Sequence, residues 1–246
     1  MLRAVCRFTW RPEPTAITRW CASALSSPAS TEGANDGDVA WNCMSPENET
    51  RCRGMLEEPT GIYRASKAGA AVLVPLCSVG GEPALLYTLR SSELRGKHKG
   101  DVSFPGGKSD PSDRDIVHTA LREAQEELGI QVMEESTWGV MKPIMDLAGM
   151  AVAPVVANLG PLESLSLKPN RNEVEDIFTL SIPHLCMENN QAYTHFRLRG
   201  RYAYTLPVFL GGKHRVWGLT AILTDSALKM LVPSTYQSKV FGTRKV

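Results

Sequence analysis

The chain has almost no net charge, no long apolar run and no paired cysteine motif, and each absence closes off a class of function. Its 27 basic and 26 acidic residues leave a formal charge of +1, which gives no general reason to expect nucleic acid or an anionic membrane as partner. No stretch reaches the roughly 18 apolar residues of a membrane span. The six cysteines, at positions 6, 21, 43, 52, 77 and 186, form no Cys-x-x-Cys pair and no ligand cluster. They read as free thiols of a reducing compartment rather than staples or a zinc site. No internal repeat is visible. With 43% hydrophobic residues in 246, the chain can bury the core of one domain with extensions.

Acid is scarce in the first thirty residues, where Arg3, Arg7, Arg11 and Arg19 face only Glu13, and Ser23, Ser26, Ser27 and Ser30 follow. That composition predicts a mitochondrial presequence over 1–30, although Pro12 and Pro14 interrupt any single amphipathic helix. The final Thr243-Arg244-Lys245-Val246 lacks the Ser-Lys-Leu peroxisomal address. Residues 31–66 are expected to form a polar linker and a short helix, capped at Ser45-Pro46-Glu47 and ending near Pro59. A domain over 67–233 and a tail over 234–246 complete the organisation.

Within that domain, Ala70–Cys77 and Ala84–Arg90 read as strands joined by a turn at Gly80-Gly81. Trp138–Asp146 and Ala151–Leu159 read as a further pair, the second at an edge or bulged at Pro154. Glu173–Leu180 suggests a short helix, Arg201–Leu210 and His214–Gly218 strands, and Thr220–Leu231 a closing helix. The alternation points to the α/β class.

What is present is concentrated between Gly106 and Ile130. Gly106-Gly107-Lys108 precedes Arg122-Glu123-Ala124-Gln125-Glu126-Glu127-Leu128-Gly129-Ile130. Val117, Leu121, Ala124 and Leu128 recur at helical spacing, so Asp115–Leu128 is predicted to be an amphipathic helix. Ser112 with Asp115 reads as its capping box and Gly129 as its stop. Glu123, Glu126 and Glu127 then cluster on the face opposite the apolar stripe. An acidic helix face is ordinarily just solvated. Here Glu123 and Glu127 stand at i,i+4, where like charges cost roughly 0.2–0.5 kcal/mol, and no base follows four residues after any of the three. A divalent ion would remove the repulsion, and oxygen-only ligands favour Mg²⁺ or Mn²⁺.

Gly-Gly, a loop, then Arg-Glu-x-x-Glu-Glu-x-Gly-hydrophobic resembles the signature of the Nudix hydrolases. The resemblance implies an α/β/α sandwich with a mixed β-sheet, in which a loop-helix-loop binds metal and a nucleoside diphosphate is hydrolysed. It implies that Glu123, Glu126 and Glu127 are metal ligands and that Arg122 orients them through charge-assisted hydrogen bonds. The family pattern has glycine fourteen and glutamate eight residues before the arginine. Lys108 and Arg114 occupy those positions here, so the loop is one residue longer, with Asp113 or Asp115 near the missing carboxylate.

A second segment runs from Leu86-Tyr87-Thr88-Leu89-Arg90-Ser91 through Arg95, Lys97, His98, Lys99 and Gly100 into Phe104-Pro105-Gly106-Gly107. It resembles the additional signature of the coenzyme A diphosphatases within the Nudix group, and Ala71–Cys77, Tyr193–Phe196 and His214–Thr220 resemble their vertebrate mitochondrial members. Coenzyme A carries a diphosphate and a separate 3′-phosphate, which suits a loop rich in positive charge. The resemblance therefore implies hydrolysis of coenzyme A and acyl-CoA to 3′,5′-ADP and 4′-phosphopantetheine or its acyl form. Arg90, Arg95, His98, Gly106 and Gly107 would bind substrate; the motif does not fix the general base, for which Glu126 and Glu173 are the two candidates. Two other readings stay open: hydrolysis of another dinucleotide (NADH, ADP-ribose or a capped RNA end), and a noncatalytic nucleotide-binding domain. His98 and His195 invite proton-transfer roles, but lone histidines are usually structural or exposed.

Overall fold

The computed structural model describes residues 42–65, 68–94, 98–146, 149–198 and 201–240. The predicted presequence, Arg95 and Lys97 lie outside the described residues. A mixed sheet is built on two neighbouring strands, β1 (Ala70–Val79) and β7 (Ala151–Pro161), which pair in parallel from Ala70↔Val152 to Leu76↔Asn158. Both are nearly continuous apolar runs because both of their faces are covered. Antiparallel partners extend the sheet: β2 (Glu82–Arg90) turns back from β1 at Gly80-Gly81, β3 (Val102–Ser103) lies on β2, and β4 (Gly106–Lys108) lies on β1. On the other side β5 (Thr137–Val140) and β6 (Ile144–Met145) pair with β7.

Alternation along the strands sends side chains to two helical layers. Ala71, Leu73, Ala153 and Val155 meet Ile116, Val117, Ala120 and Ala124 of helix α2 (Ile116–Leu128). Val74, Leu76, Leu85 and Val156 belong to a second core shared with Cys52 and Leu56 of α1 (Pro46–Tyr63), with Ile182 and Leu185 of α3 (Ile182–Cys186) and with Ala221, Leu228 and Leu231 of α4 (Gly218–Leu231). The sheet is thus sandwiched between helices, as the resemblance implies. Tyr87 stacks between Phe104 and Phe178, with ring centroids 4.9 and 5.4 Å away. The phenylalanine of the Phe-Pro-Gly-Gly segment is therefore a core anchor that fixes the glycines behind it.

Several sequence expectations are corrected. Glu173–Leu180 is not helical: β8 (Val174–Ser181) pairs with β2 from Ala84↔Ser181 to Arg90↔Val174. Val174 and Phe178 satisfy helical and strand spacing alike, and the free edge of β2 decides between them. Pro154 lies in an interior strand, beside the break between β5 and β6, where its carbonyl accepts the Met141 N–H at 2.8 Å. The expected strand at Trp138–Asp146 is split by that break. His214–Gly218 contributes a single bridge, Val216↔Phe209, to β10 (Arg201–Phe209), which forms a separate two-stranded sheet with β9 (Gln191–Leu198). Helix α1 begins at the Ser45 cap as expected but runs through Pro59, held by Thr60 Oγ1, which accepts the Val140 N–H at 2.8 Å. The 42–65 segment is bound to the domain: Arg51 and Asn48 donate to the carbonyls of Met230 and Leu231 at the end of α4. Past α4 the chain folds back, and the Tyr236 hydroxyl donates to Asp225 Oδ1 at 2.8 Å.

Candidate active site

The glycine pair and α2 are brought together by contacts closer than any side chain permits. Gly106 and Gly107 pair with Val72 and Ala71 of β1. A Cβ on Gly106 would stand 2.4 Å from the Ala71 carbonyl oxygen, and one on Gly107 would stand 2.4 Å from Glu123 Oε2. Gly107 is therefore the place where the Glu123 carboxylate rests. Helix α2 is capped by Asp115, which accepts the His118 N–H at 2.8 Å; Ser112, the expected cap, instead bonds Asp110. Its end is a left-handed Gly129, φ 69°, and its last carbonyls accept from outside: Lys168 N–H to Leu128 O at 2.8 Å and Asn170 N–H to Glu127 O at 3.0 Å.

The three glutamates do not share one solvated face. Glu126 is 53% exposed, Glu123 13% and Glu127 only 3% by side chain. Burial pushes the Glu127 carboxyl up to about 8; Arg90 and the Gly106 amide oppose the shift, while Glu123 and Glu173 add to it. Glu123 is raised for the same leading reason, with Arg122 opposing. Arg90, at the end of β2, places Nη1 3.6 Å from Glu127 Oε1. Neither Arg90 Nε nor Glu127 Oε2, both buried, has a hydrogen-bond partner.

Arg122 ties the loop to the helix. It grips Asp113 with two bonds, Nε to Oδ1 at 2.9 Å and Nη2 to Oδ2 at 3.0 Å, and donates from Nη1 to Glu123 (2.9 Å) and Glu126 (3.1 Å). A further bond from Nη2 reaches the Lys108 carbonyl at 3.0 Å. Asp113, 3% exposed, also accepts from Thr119 Oγ1 and the Asp110 N–H. The Arg122 guanidinium holds its carboxyl well below the usual carboxylate range. Asp113, one residue before the expected position of the glutamate, is thus the carboxylate that pairs with Arg122. Arg114, standing at that position, turns to Glu134 instead, and Asp115 pairs with Arg64 at 2.7 Å.

Glu173 reaches the same place from the loop before β8. Its carboxylate acts on both Glu123 and Glu127, its Oε1 accepts from Asn170 Nδ2 at 3.2 Å, and its carbonyl accepts the Ser91 N–H at 2.8 Å. The 168–173 loop thus clamps the residue after Arg90 to the end of α2, a link that sequence reasoning missed because it runs through backbone. His98 is 77% exposed and pairs with Asp101 at 3.2 Å. His195 lies in the β9–β10 sheet, with Nδ1 2.8 Å from Thr205 Oγ1. A polar cavity of about 360 Å³ between α1 and β5, lined by Arg53, Arg64, Glu134 and Trp138 among others, has none of the predicted site residues in its wall.

The NUDIX domain family model matches residues 67–191. The chain belongs to the Nudix hydrolase family. This Nudix chain is 58% identical over 201 residues to the mitochondrial coenzyme A diphosphatase NUDT8 of Homo sapiens, covering 82% of the chain and 85% of that protein. Against the protein of the same name in Mus musculus it is 57% identical over 194 residues, 79% of the chain and 92% of that protein. A MutT/nudix family protein from Enterococcus faecalis superposes with a TM-score of 0.46 at 12% identity, over 78% of this chain and 73% of that one. The resemblance drawn from the motifs is borne out at the level of the family and of its mitochondrial coenzyme A diphosphatase relatives.

Nudix hydrolases as a family work with a divalent metal. Among the described residues, no three carboxylate, imidazole or thiol groups converge closely enough to hold an ion as they stand. Arg122 draws Glu126 aside, and Arg90 stands against Glu127. The donor set nevertheless fits a hard cation: three carboxylates on one helix end, the Glu173 charge bearing on two of them, and a buried Glu127 oxygen with no partner.

Proposed function

We propose that this Nudix hydrolase cleaves the diphosphate of coenzyme A and acyl-CoA, releasing 3′,5′-ADP and 4′-phosphopantetheine or its acyl form, with Mg²⁺ or Mn²⁺ and in the mitochondrion. The observation that carries the reading is the junction of the two motifs: Arg90 of the coenzyme A segment stands 3.6 Å from Glu127 of the Nudix helix. A phosphate bound by Arg90 would lie beside the carboxylates. The NUDT8 relatives, named mitochondrial coenzyme A diphosphatases, support both substrate and compartment.

Glu123, Glu126 and Glu127 would hold the metal, which supplies a Lewis acid for the attacked phosphoryl group and a more acidic water. Arg122 keeps Glu123 oriented, and the exposed Glu126 joins once its 3.1 Å bond to Arg122 is given up. Gly107 leaves room for the Glu123 carboxylate, and Gly106 brings the loop against β1. Either Glu126 or Glu173, whose charge bears on both Glu123 and Glu127, would take the proton of the attacking water. Arg90, Arg95 and His98 bind the phosphates, with Lys97 and Lys99 adding charge to the same loop. We further propose that 1–30 is a presequence and that the folded unit runs through 67–233 together with the helix before it. Chromatographic identification of the products from coenzyme A, NADH and ADP-ribose tests the substrate, and import of the 1–30 segment fused to a reporter tests the address.

A further inference from the structure

Arg90 and Glu127 form a pair with loose ends. Backbone bonds fix Arg90 on both sides: its N–H donates to the Asp101 carbonyl at 3.0 Å, and its own carbonyl accepts the Gly100 N–H at 3.1 Å. Its guanidinium approaches Glu127 Oε1 only to 3.6 Å, an ion pair longer than a hydrogen bond. Arg90 Nε and Glu127 Oε2 remain buried without partners. A finished structural pair in so buried a place satisfies its donors and acceptors. Here Arg90 Nε lacks an acceptor and Glu127 Oε2 lacks a donor or cation, although the Gly106 amide also bears on the Glu127 carboxyl. That is the complement of a ligand with a positive part toward Glu127 and a negative part toward Arg90. Around Glu127 stand two further acids, Glu123 and Glu173, and Arg90 is the basic side chain set against it.

We infer that Arg90 is a displaceable partner of Glu127: its guanidinium stands against the carboxyl before metal binds, and is released toward the substrate diphosphate when metal takes its place. The inference rests on the metal reading above. Without substrate, Arg90 competes with the metal for Glu127. With a diphosphate present, Arg90 has another partner, and metal and diphosphate strengthen each other's binding by linkage.

The test is Mn²⁺ binding to the full chain, read by the electron paramagnetic resonance of free Mn²⁺, for the parent, Arg90→Met, Arg90→Lys and Glu127→Gln. Without substrate, Arg90→Met is expected to bind Mn²⁺ about 5-fold or more tightly than the parent, within the usual range of coupling between sites. Arg90→Lys is expected to stay near the parent. Inorganic diphosphate is expected to tighten Mn²⁺ binding more in the parent than in Arg90→Met. Unchanged Mn²⁺ affinity in Arg90→Met would make Arg90 a substrate contact alone, and weaker affinity would make it a structural support of Glu127; either overturns the proposal. If Arg90→Met fails to fold, Arg90→Gln carries the same prediction. Equal Mn²⁺ binding by the parent and Glu127→Gln would overturn the metal reading itself, whereas loss in Glu127→Gln with no change in Arg90→Met would overturn only the role of Arg90.

Discussion

Asp113 and Arg122 are the residues whose partnership holds the 108–114 loop on its helix. Asp113→Asn leaves the buried end of Arg122 half-partnered, and removing one member of such a pair costs about 3 kcal/mol. The low pKa of Asp113 in the fold fixes the sign with pH. Its contribution is complete above the unfolded value of about 3.9 and disappears as pH falls through the folded value. Denaturant melts of parent and Asp113→Asn are therefore expected to differ most near pH 7 and to converge in acid; an equal gap at all pH would assign the loss to shape alone. Because Arg122 also orients Glu123, the same variant should lose about 10- to 100-fold in activity. Gly107→Ala is a sharper probe. Its Cβ would occupy the place of the Glu123 carboxylate, so hydrolysis is expected to collapse while circular dichroism stays that of the parent. Normal turnover would show that Glu123 works elsewhere.

At the level of elements, the alternation that built β1, β2 and α2 was legible in the sequence because local pattern and tertiary role agree. So was the site's skeleton, the glycine pair followed by an arginine and three glutamates. Three things were not. Strand β8 carries a spacing compatible with a helix, and only its ladder with β2 resolves it. Burial of Glu127 depends on Arg90 and on the 168–173 loop, contacts distant in sequence. Helix α1 reads in sequence as a short helix in a linker, yet Cys52 and Leu56 lie in the core and Gly139 admits Leu56, since a Cβ there would stand 2.7 Å from that of Leu56. Leu56→Ala is expected to cost about 2–5 kcal/mol, measured by thermal or denaturant melting. A chain beginning at Lys67 should unfold at markedly lower temperature than one beginning at Asn42. Equal melting would make α1 an ornament of the fold.

For the molecule as a whole, one sheet presents two ends of a single machine. Helix α2 lies on one face with its acids at the end where β2 delivers Arg90, and the 168–173 loop joins the two. Charge composition gave no hint of this, because the net balance conceals a local alternation of acid and base along the site. The family supplies the hydrolase, and coenzyme A is the substrate proposed from the Arg90-to-Gly107 segment. The most direct measurement is product identification after incubating the chain from Asn42 with coenzyme A and Mg²⁺ or Mn²⁺, beside a Glu127→Gln control. The account predicts 3′,5′-ADP and 4′-phosphopantetheine from the parent, with the rate lowered about 100-fold or more in the control. Intact coenzyme A alongside cleaved NADH or ADP-ribose would contradict it.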